Sequence, residues 1–301
     1  MIRSALFAPA DRAEVLRKAF FKLKVDATVV DLEDAVSPAN KAKGRDTAVE
    51  SLTSLSSAPS SSSSTTDSPQ RCPNVVVRVN CPLMTEWGKD DLRALLADRA
   101  VREQIDAVVL PKVDSAEALN EVLALLPAQA SSVPLWAMIE TPLGVMNCER
   151  IAAHSSIETL VLGINDLTME LRAQHVPGRH PMLYSAGRML VAARGYGKLA
   201  VDGVHMTIGD DAGLEASCIQ GRAMGFDGKS LIHPSQISIT NQHFSPTDVQ
   251  IEHAAAVIEA YKTALDQGKS LAVLKGKLIE ALHVAEARDV LARAELIQQR
   301  D

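Results

Sequence analysis

Short apolar segments rich in β-branched residues alternate along the chain with longer amphipathic segments. Eight short segments predict strands, at residues 4–8, 27–32, 74–80, 107–112, 135–140, 159–163, 200–205 and 228–232. Seven longer segments have helical spacing of apolar residues, at residues 12–23, 41–55, 89–102, 116–126, 145–153, 181–195 and 211–224. This alternation is typical of α/β proteins built from repeated βα units. Eight strands favour a closed (β/α)8 TIM barrel, because a doubly wound open sheet usually has fewer.

Two segments lie outside this alternation. Residues 56–70 read SSAPSSSSSTTDSPQ, and they have too few apolar side chains to offset the entropy lost on ordering. We therefore expect a flexible insertion there, at the barrel end away from active-site loops. From residue 246 onward the pattern is helical, with Pro246-Thr247-Asp248 as a start signal. The sequence thus predicts a barrel over residues 1–245 and a C-terminal helical extension over residues 246–301.

Composition and charge exclude several classes of protein. Hydrophobic residues make up 47% and charged residues 23%, values of an ordinary globular protein rather than a disordered chain or a coiled coil. The net charge of −6 is the wrong sign for a nucleic-acid partner. No apolar run approaches the roughly 18 residues of a membrane span, and no signal peptide is evident, so we expect a soluble, cytoplasmic protein without a membrane partner. The four cysteines have no C-x-x-C spacing, which argues against a disulfide framework or a zinc site.

Carboxylates follow several predicted strands at the end where barrel enzymes carry their active sites. Asp34 follows the second strand, Glu140 the fifth and Asp166 the sixth. Converging carboxylates repel one another unless protons or a cation neutralise them, and oxygen-only ligands suit Mg²⁺ or Mn²⁺ better than Zn²⁺. Glu140 and Asp166 end neighbouring strands, so both can reach one ion. The alternative is that these side chains cap helices or form loop ion pairs.

Basic residues occur at the same end of the predicted barrel. Arg78 stands between β-branched neighbours in the third strand and is expected to point into the barrel mouth, where it needs carboxylates or an anionic substrate. Arg12 and Lys18, with Arg3, are candidates for phosphate binding, although Lys18 fits a solvated helix face equally well. His233 ends the eighth strand and fits a structural hydrogen bond as well as a ligand contact.

Seven short motifs together resemble the HpcH/HpaI aldolase and citrate lyase family, and in particular its citrate lyase beta branch, which includes citramalyl-CoA and malyl-CoA lyases. They are RSALFAP at residues 3–9, DLEDAV at 31–36, RVN at 78–80, LPKV at 110–113, IETP at 139–142, GFDGK at 225–229 and IHPSQ at 232–236. The resemblance extends over roughly residues 2–280.

The resemblance implies a Mg²⁺-dependent TIM barrel, usually a homotrimer or a hexamer. Such enzymes cleave or form a carbon–carbon bond in a 3-hydroxyacyl thioester. For citramalyl-, malyl- or citryl-CoA, cleavage would yield acetyl-CoA and a 2-oxo acid. The resemblance places the metal ligands at Glu140 and Asp166 and the arginine that contacts substrate at Arg78. It also implies that Asp34 helps to order metal-bound waters.

The remaining family positions concern the thioester and the C-terminal segment. The residues implied in binding substrate or coenzyme A are Phe7, Arg12, Lys18, Asn165, Ile232 and His233. The family's Gly-Lys-Met-Ile-Asp reads Gly-Lys-Leu-Ile-Glu here, at residues 276–280, and its aspartate acts as acid/base from a neighbouring subunit. Glu280 would therefore protonate the enolate carbon, and Arg78 would stabilise the enolate oxygen.

Alternative activities use the same residues. With water as the acceptor, the site would behave as an acyl-CoA thioesterase. A free-acid, pyruvate-type aldolase would share the metal carboxylates but need no coenzyme A site. The changed segment at Glu280 also makes a non-catalytic binding relative conceivable, against which the presence of Glu140, Asp166 and Arg78 argues.

Overall fold

The structure, a computed structural model, describes residues 1–56, 72–130 and 132–300. The chain divides into two units, residues 2–241 and residues 242–301 together with Met1. The domain boundary expected at residue 245 stays a prediction. The serine-rich insertion expected at residues 56–70 lies outside the described residues from residue 57 onward.

Eight parallel strands close into a barrel in chain order, which confirms the predicted TIM-barrel fold. They are β1 (Ser4–Pro9), β2 (Ala27–Asp31), β3 (Val75–Arg78), β4 (Ala107–Leu110), β5 (Leu135–Ile139), β6 (Ile157–Leu162), β7 (Leu199–Asp202) and β8 (Gly228–Leu231). Pairing of β1 with β8 closes the barrel, with Leu6 opposite Leu231.

Helices connect the strands of this unit. They are α1 (Ala13–Phe21), α2 (Lys41–Ser56), α3 (Glu86–Ala97), α4 (Arg99–Arg102), α5 (Ala116–Leu125), α6 (Pro142–Met146), α7 (Cys148–Ala153), α8 (Ile164–Glu170), α9 (Leu183–Gly195), α10 (Asp211–Met224) and α11 (Ile237–Phe244). The helix predicted at 89–102 breaks at Asp98, whose side chain accepts the Ala100 N–H and starts α4. Asn147 interrupts the helix predicted at 145–153, and its side-chain amide donates to the Asp114 carbonyl. The sequence did not predict α8.

The alternation of side chains along the strands decides which residues face the barrel interior. The interior core contains Val29 of β2, Val76 of β3 and Met138 of β5. Continuing each strand by two residues from these positions leads to Asp31, Arg78 and Glu140. The hydrophobic pattern that fills the barrel therefore also turns these charged residues toward its C-terminal mouth.

Strand residues whose side chains point away from the barrel interior lie between the strands and the surrounding helices. Leu6 and Leu231 pack there with Ile237. A buried ionic network also lies on this side: Lys229 Nζ is 2.9 Å from Asp202 Oδ2, and Arg179 Nη1 donates to both Asp202 oxygens at 2.7 and 2.8 Å. Burial lowers the pKa of Lys229, and the charge of Asp202 opposes that shift. This network is separate from the residues at the barrel mouth.

The C-terminal unit contains α12 (Asp248–Asp266), β9 (Ala272–Leu274), β10 (Lys277–Ile279) and α13 (Ala281–Gln298). The predicted start signal is observed, because the Thr247 hydroxyl accepts the Gln250 N–H and caps α12. The β9–β10 hairpin was not predicted, and its turn uses left-handed conformations at Lys275 and Gly276 (φ 49° and 76°). No helix within the described ranges is long and apolar enough to cross a membrane.

Candidate active site

A cavity of about 300 Å³ lies at the C-terminal end of the barrel strands. Seven residues that the sequence assigned to the site line it: Phe7, Asp34, Arg78, Glu140, Asn165, Asp166 and Ile232. The structure thus brings together residues from six strands or the segments that follow them. Apolar side chains, including Met138 and Met206, form much of the remaining wall.

Arg78 is held by carboxylates at the end of β2 and in the loop that follows it. Its Nε and Nη2 donate to the two oxygens of Asp31 at 2.8 and 2.7 Å, a bidentate pair. Its Nη1 lies 2.7 Å from Glu33 Oε2 and 3.3 Å from Asp34 Oδ2. The guanidinium also stacks 4.8 Å above the centroid of the Phe7 ring. Burial alone would lower the pKa of Arg78, but the three negative charges outweigh it and raise that pKa, so the side chain stays charged and oriented.

Glu140 is buried directly after β5, with 3% of its surface exposed. Its Oε1 accepts the Lys112 backbone N–H at 2.7 Å. Gly163 makes room for it, because a Cβ at that position would lie 2.4 Å from the Glu140 Cβ. Burial, followed by the negative charges of Glu33 and Asp166, raises the pKa of Glu140 to about 8. Without a cation beside it, this carboxyl keeps much of its proton at neutral pH.

Glu33 has a similar electrostatic environment. Burial raises its pKa to about 7, and the charges of Asp34 and Asp31 act in the same direction, while Arg78 and Lys112 oppose the shift. Two carboxyl groups near the mouth therefore bind protons at pH values where exposed glutamates are ionised. Such a site favours any ligand that brings positive charge.

Asp166 lies in the first turn of α8, rather than at a strand end as the sequence suggested. Its Oδ2 accepts a hydrogen bond from Lys112 Nζ at 2.7 Å. Burial would lower the pKa of Lys112, but the bond to Asp166 and the charge of Glu140 outweigh burial and raise it. The sequence indicated only that Lys112 ends the fourth strand and gave it no role. Its contact with Asp166 joins the loop after β4 to the first turn of α8, and these two segments are distant in the chain.

The donor set fits a divalent cation with hard oxygen ligands. Within the described residues, no group of three or more His, Cys, Asp or Glu side chains has metal-binding geometry. Glu140 and Asp166 would therefore supply two ligands, and water or substrate oxygens would supply the others, as is usual for Mg²⁺. Asn165 Oδ1 and Ser230 Oγ, whose residues line the same cavity, are buried and have no hydrogen-bond partner among the described residues. They are available to polar groups of a ligand.

Some residues assigned from the sequence do not line the cavity. Arg12 immediately precedes α1 and Lys18 lies in the last turn of that helix, and both side chains are exposed. His233 caps the short turn after β8, where its Nδ1 accepts the Ser235 N–H at 3.2 Å. This contact matches the structural hydrogen-bonding role weighed for His233.

The expectation that Arg3 binds phosphate is wrong. Arg3 lies just before β1, at the opposite end of the barrel from the cavity, and is 2% exposed. Its Nε and Nη2 donate to the two oxygens of Asp26 at 2.9 and 2.8 Å. The guanidinium is thus fully engaged in a buried pair and has no access to an external phosphate.

Glu280 belongs to the C-terminal unit, where it precedes α13. Its backbone N–H donates to His283 Nδ1 at 3.0 Å, and its carbonyl accepts the His283 N–H at 3.1 Å. These backbone contacts start the helix, and the side chain is half-buried. The acid/base role of Glu280 stays a prediction.

The raised pKa values predict how stability depends on pH. Glu140 and Glu33 have higher pKa values in the folded protein than in the unfolded chain, so the native state binds more protons. Their contribution is fully present below the unfolded pKa of about 4.5 and is lost as pH rises through about 7 to 8. We expect the melting temperature in EDTA to fall between pH 6 and pH 9, roughly the interval in which these carboxyls ionise, and excess Mg²⁺ to reduce that fall. Parallel melts with EDTA and with Mg²⁺ test this, and a metal-free protein that gains stability over this interval would contradict it.

Comparison with known proteins agrees with this geometry. The model of the HpcH/HpaI aldolase/citrate lyase family matches residues 3–234. A (3S)-malyl-CoA thioesterase of Cereibacter sphaeroides is 41% identical, covering 98% of this chain and 95% of the relative. The citrate lyase subunit beta of Escherichia coli is 34% identical, covering 98% and 93%. The crystal structure of CitE from Mycobacterium tuberculosis with magnesium, acetoacetate and coenzyme A has a TM-score of 0.76 and 28% identity, covering 97% of each chain.

Proposed function

This chain belongs to the HpcH/HpaI aldolase/citrate lyase family, and we propose that it hydrolyses the thioester bond of a 3-hydroxyacyl-CoA of the (3S)-malyl-CoA type. The observation that carries the proposal is the 41% identity, over 98% of the chain, with a relative named for that activity. The reaction forms a bond between water oxygen and the acyl carbon and breaks the carbon–sulfur bond. The thiolate takes up a proton, and the products are the free hydroxy acid and coenzyme A.

Glu140 and Asp166 would hold the divalent cation of this reaction. The magnesium bound in CitE supports Mg²⁺ as that ion, and Mn²⁺ suits the same oxygen ligands. When bound, the ion acts as a Lewis acid that polarises substrate oxygens. Gly163 and the Lys112 N–H hold Glu140 in place before any ion binds.

Arg78 would stabilise the negative charge that develops on the thioester oxygen. Its bidentate bond to Asp31 fixes the guanidinium, so little reorganisation accompanies the reaction. A preorganised donor of this kind typically contributes about 3 kcal/mol to lowering the barrier. Asp34, whose side chain is 68% exposed beside Arg78, would accept a proton from the attacking water.

Substrate binding uses the other cavity residues and the exposed face near α1. Phe7, Asn165 and Ile232 would contact the acyl part, since they line the cavity. Arg12 and Lys18, both exposed, would bind the phosphates of coenzyme A, with His233 nearby on the β8 loop. We further expect a homo-oligomer, a trimer or a hexamer, because of the family resemblance.

Carbon–carbon cleavage is the second candidate, and the 34% identity with citrate lyase subunit beta favours it. In that reaction the substrate hydroxyl gives up its proton and the carbon–carbon bond breaks. A 2-oxo acid leaves, and the enolate of acetyl-CoA receives a proton on carbon. Arg78 would stabilise the enolate oxygen, and Glu280 would supply the proton. Hydrolysis needs no such proton on carbon.

Product analysis with (3S)-malyl-CoA and Mg²⁺ separates the two candidates. Hydrolysis yields malate and free coenzyme A in equal amounts without glyoxylate. Cleavage yields glyoxylate and acetyl-CoA without free thiol. Glyoxylate as the main product would overturn the proposed hydrolysis in favour of the lyase. Turnover of free malate without coenzyme A would instead favour the free-acid aldolase, and no turnover of any of these substrates would overturn the proposed function.

Substitution of Glu280 is expected to affect only the carbon-protonating reaction. For Glu280→Gln, we expect cleavage to fall by at least about 100-fold, the range of general acid catalysis, and hydrolysis to change less than about twofold. Exchange of the acetyl-CoA methyl protons with deuterium from solvent measures the proton transfer directly. Glu280→Asp, which restores the family's residue, is the matched control and should retain exchange. Exchange at the parent rate in Glu280→Gln would show that Glu280 is not the proton donor to the enolate carbon.

A further inference from the structure

Lys112 contacts both carboxylates of the proposed metal site, and it does so with two different groups. Its backbone N–H donates to Glu140 Oε1 at 2.7 Å. Its side-chain Nζ lies 2.7 Å from Asp166 Oδ2 and 4.0 Å from Glu33 Oε1. Lys112 therefore brings positive charge next to the carboxylates of Asp166 and Glu33.

The backbone of Lys112 is specialised for this position. It adopts a left-handed conformation, with φ of 52°, directly after β4. A non-glycine residue in that region is under strain of about 1 kcal/mol, which the surrounding contacts must offset. The bond from its N–H to Glu140 is one such contact, and the side chain of the same residue reaches Asp166.

Two cations at the barrel mouth, Arg78 and Lys112, have different sets of carboxylate partners. Arg78 forms ion pairs with Asp31, Glu33 and Asp34. Lys112 is the cation that hydrogen-bonds Asp166, and its Nζ lies 4.0 Å from Glu33. A divalent ion that binds Asp166 through the same oxygen has to displace this ammonium.

We propose that Lys112 is an internal cation that competes with the divalent metal for Asp166 and thereby lowers the affinity of the site for the metal. The proposal rests on the proposed function only in taking Glu140 and Asp166 as the ligands. Two effects have the same sign: the bond from Lys112 Nζ to Asp166 must break, and the released ammonium remains close enough to repel the ion. Lys112 is thus a positioning residue that keeps the metal exchangeable.

Metal binding without substrate tests the proposal. Lys112→Met keeps the backbone N–H to Glu140 and a side chain of similar length but removes the charge. We expect its Kd for Mn²⁺, measured by electron paramagnetic resonance of the free ion, to be on the order of tenfold lower than that of the parent, equivalent to ~1.4 kcal/mol. Lys112→Arg retains the charge and is expected to bind Mn²⁺ within about threefold of the parent. Lys89→Met is the matched control, because it removes a lysine paired with Glu86 outside the cavity.

Several outcomes would overturn the inference. Equal or weaker Mn²⁺ binding by Lys112→Met would show that the ammonium does not compete. If neither the parent nor Lys112→Met binds Mn²⁺, there is no metal with which Lys112 could compete, and the inference fails. Circular dichroism verifies the fold of the variant, and Lys112→Gln replaces it if Lys112→Met does not fold. The malyl-CoA assay remains separate: an inactive parent with tighter Mn²⁺ binding by the variant rejects the proposed function and leaves this inference standing.

Discussion

Glu140→Gln is expected to lower turnover by at least about 1,000-fold while the metal-free protein becomes as stable as the parent or more stable. The loss of activity follows from the proposed metal site, in which Glu140 would supply one of two carboxylates and the bound ion would lower the barrier by several kcal/mol. Stability is expected to respond in the opposite direction, because the carboxyl is buried with its pKa raised to about 8. Glutamine retains an oxygen for the Lys112 N–H and carries no charge that burial would penalise.

Thermal melts in EDTA at about pH 8, together with turnover at saturating Mg²⁺, measure both effects. Glu170→Gln, an exposed carboxyl at the end of α8, serves as the control and should change neither quantity. A clear fall in the melting temperature of metal-free Glu140→Gln would show that Glu140 is a structural residue. Turnover near the parent value would remove it from the metal site.

Asp202→Asn is expected to destabilise the barrel by about 3–5 kcal/mol, the range found when one partner of a buried ion pair is removed. Asp202 and Lys229 both have side chains that are 0% exposed, and Arg179 also pairs with Asp202. Without the carboxylate, the two cations face each other in the layer between the strands and the helices. Lys229 must then give up its proton or remain charged without a counterion.

Urea unfolding monitored by circular dichroism measures this loss as a lower midpoint. Asp90→Asn, at a half-exposed carboxyl paired with Arg93, is the control and should shift the free energy of unfolding by less than about 0.5 kcal/mol. The double variant Asp202→Asn with Lys229→Met should recover part of the loss, because it removes one of the unpaired cations. Stability of Asp202→Asn equal to that of the parent would show that water already screens this network.

The placement of Arg78 and Glu140 at the barrel mouth follows from the sequence, because the period of two along a strand continues past the last apolar residue. Val76 and Met138 belong to the barrel interior, so the residues two positions later face the same way. Family resemblance independently gives these positions their roles. The number of strands, and with it the closed barrel, likewise follows from counting apolar segments.

Ion pairs at the mouth could not be predicted in this way. Lys112 follows β4 and Asp166 lies in the first turn of α8, and nothing in their 54-residue separation indicates a bond. Helix α8 itself interrupts what the sequence indicated as a strand end, and it carries Asp166 into the cavity. For Arg3, the sequence showed only a positive charge near the N-terminus. Its burial against Asp26 depends on β1 and β2 lying side by side.

The sequence alone therefore predicted the barrel, its family, the inward direction of Arg78 and the carboxylates at the barrel mouth. These features depend on local periodicity, on the burial of apolar side chains and on motifs read in order. Tertiary structure alone decided which charge partners which: Asp202 with Lys229 and Arg179, and Lys112 with Asp166. The physical reason is that an ion pair depends on a few ångströms between side chains that are distant in the chain, whereas hydrophobic patterning only specifies which face is buried.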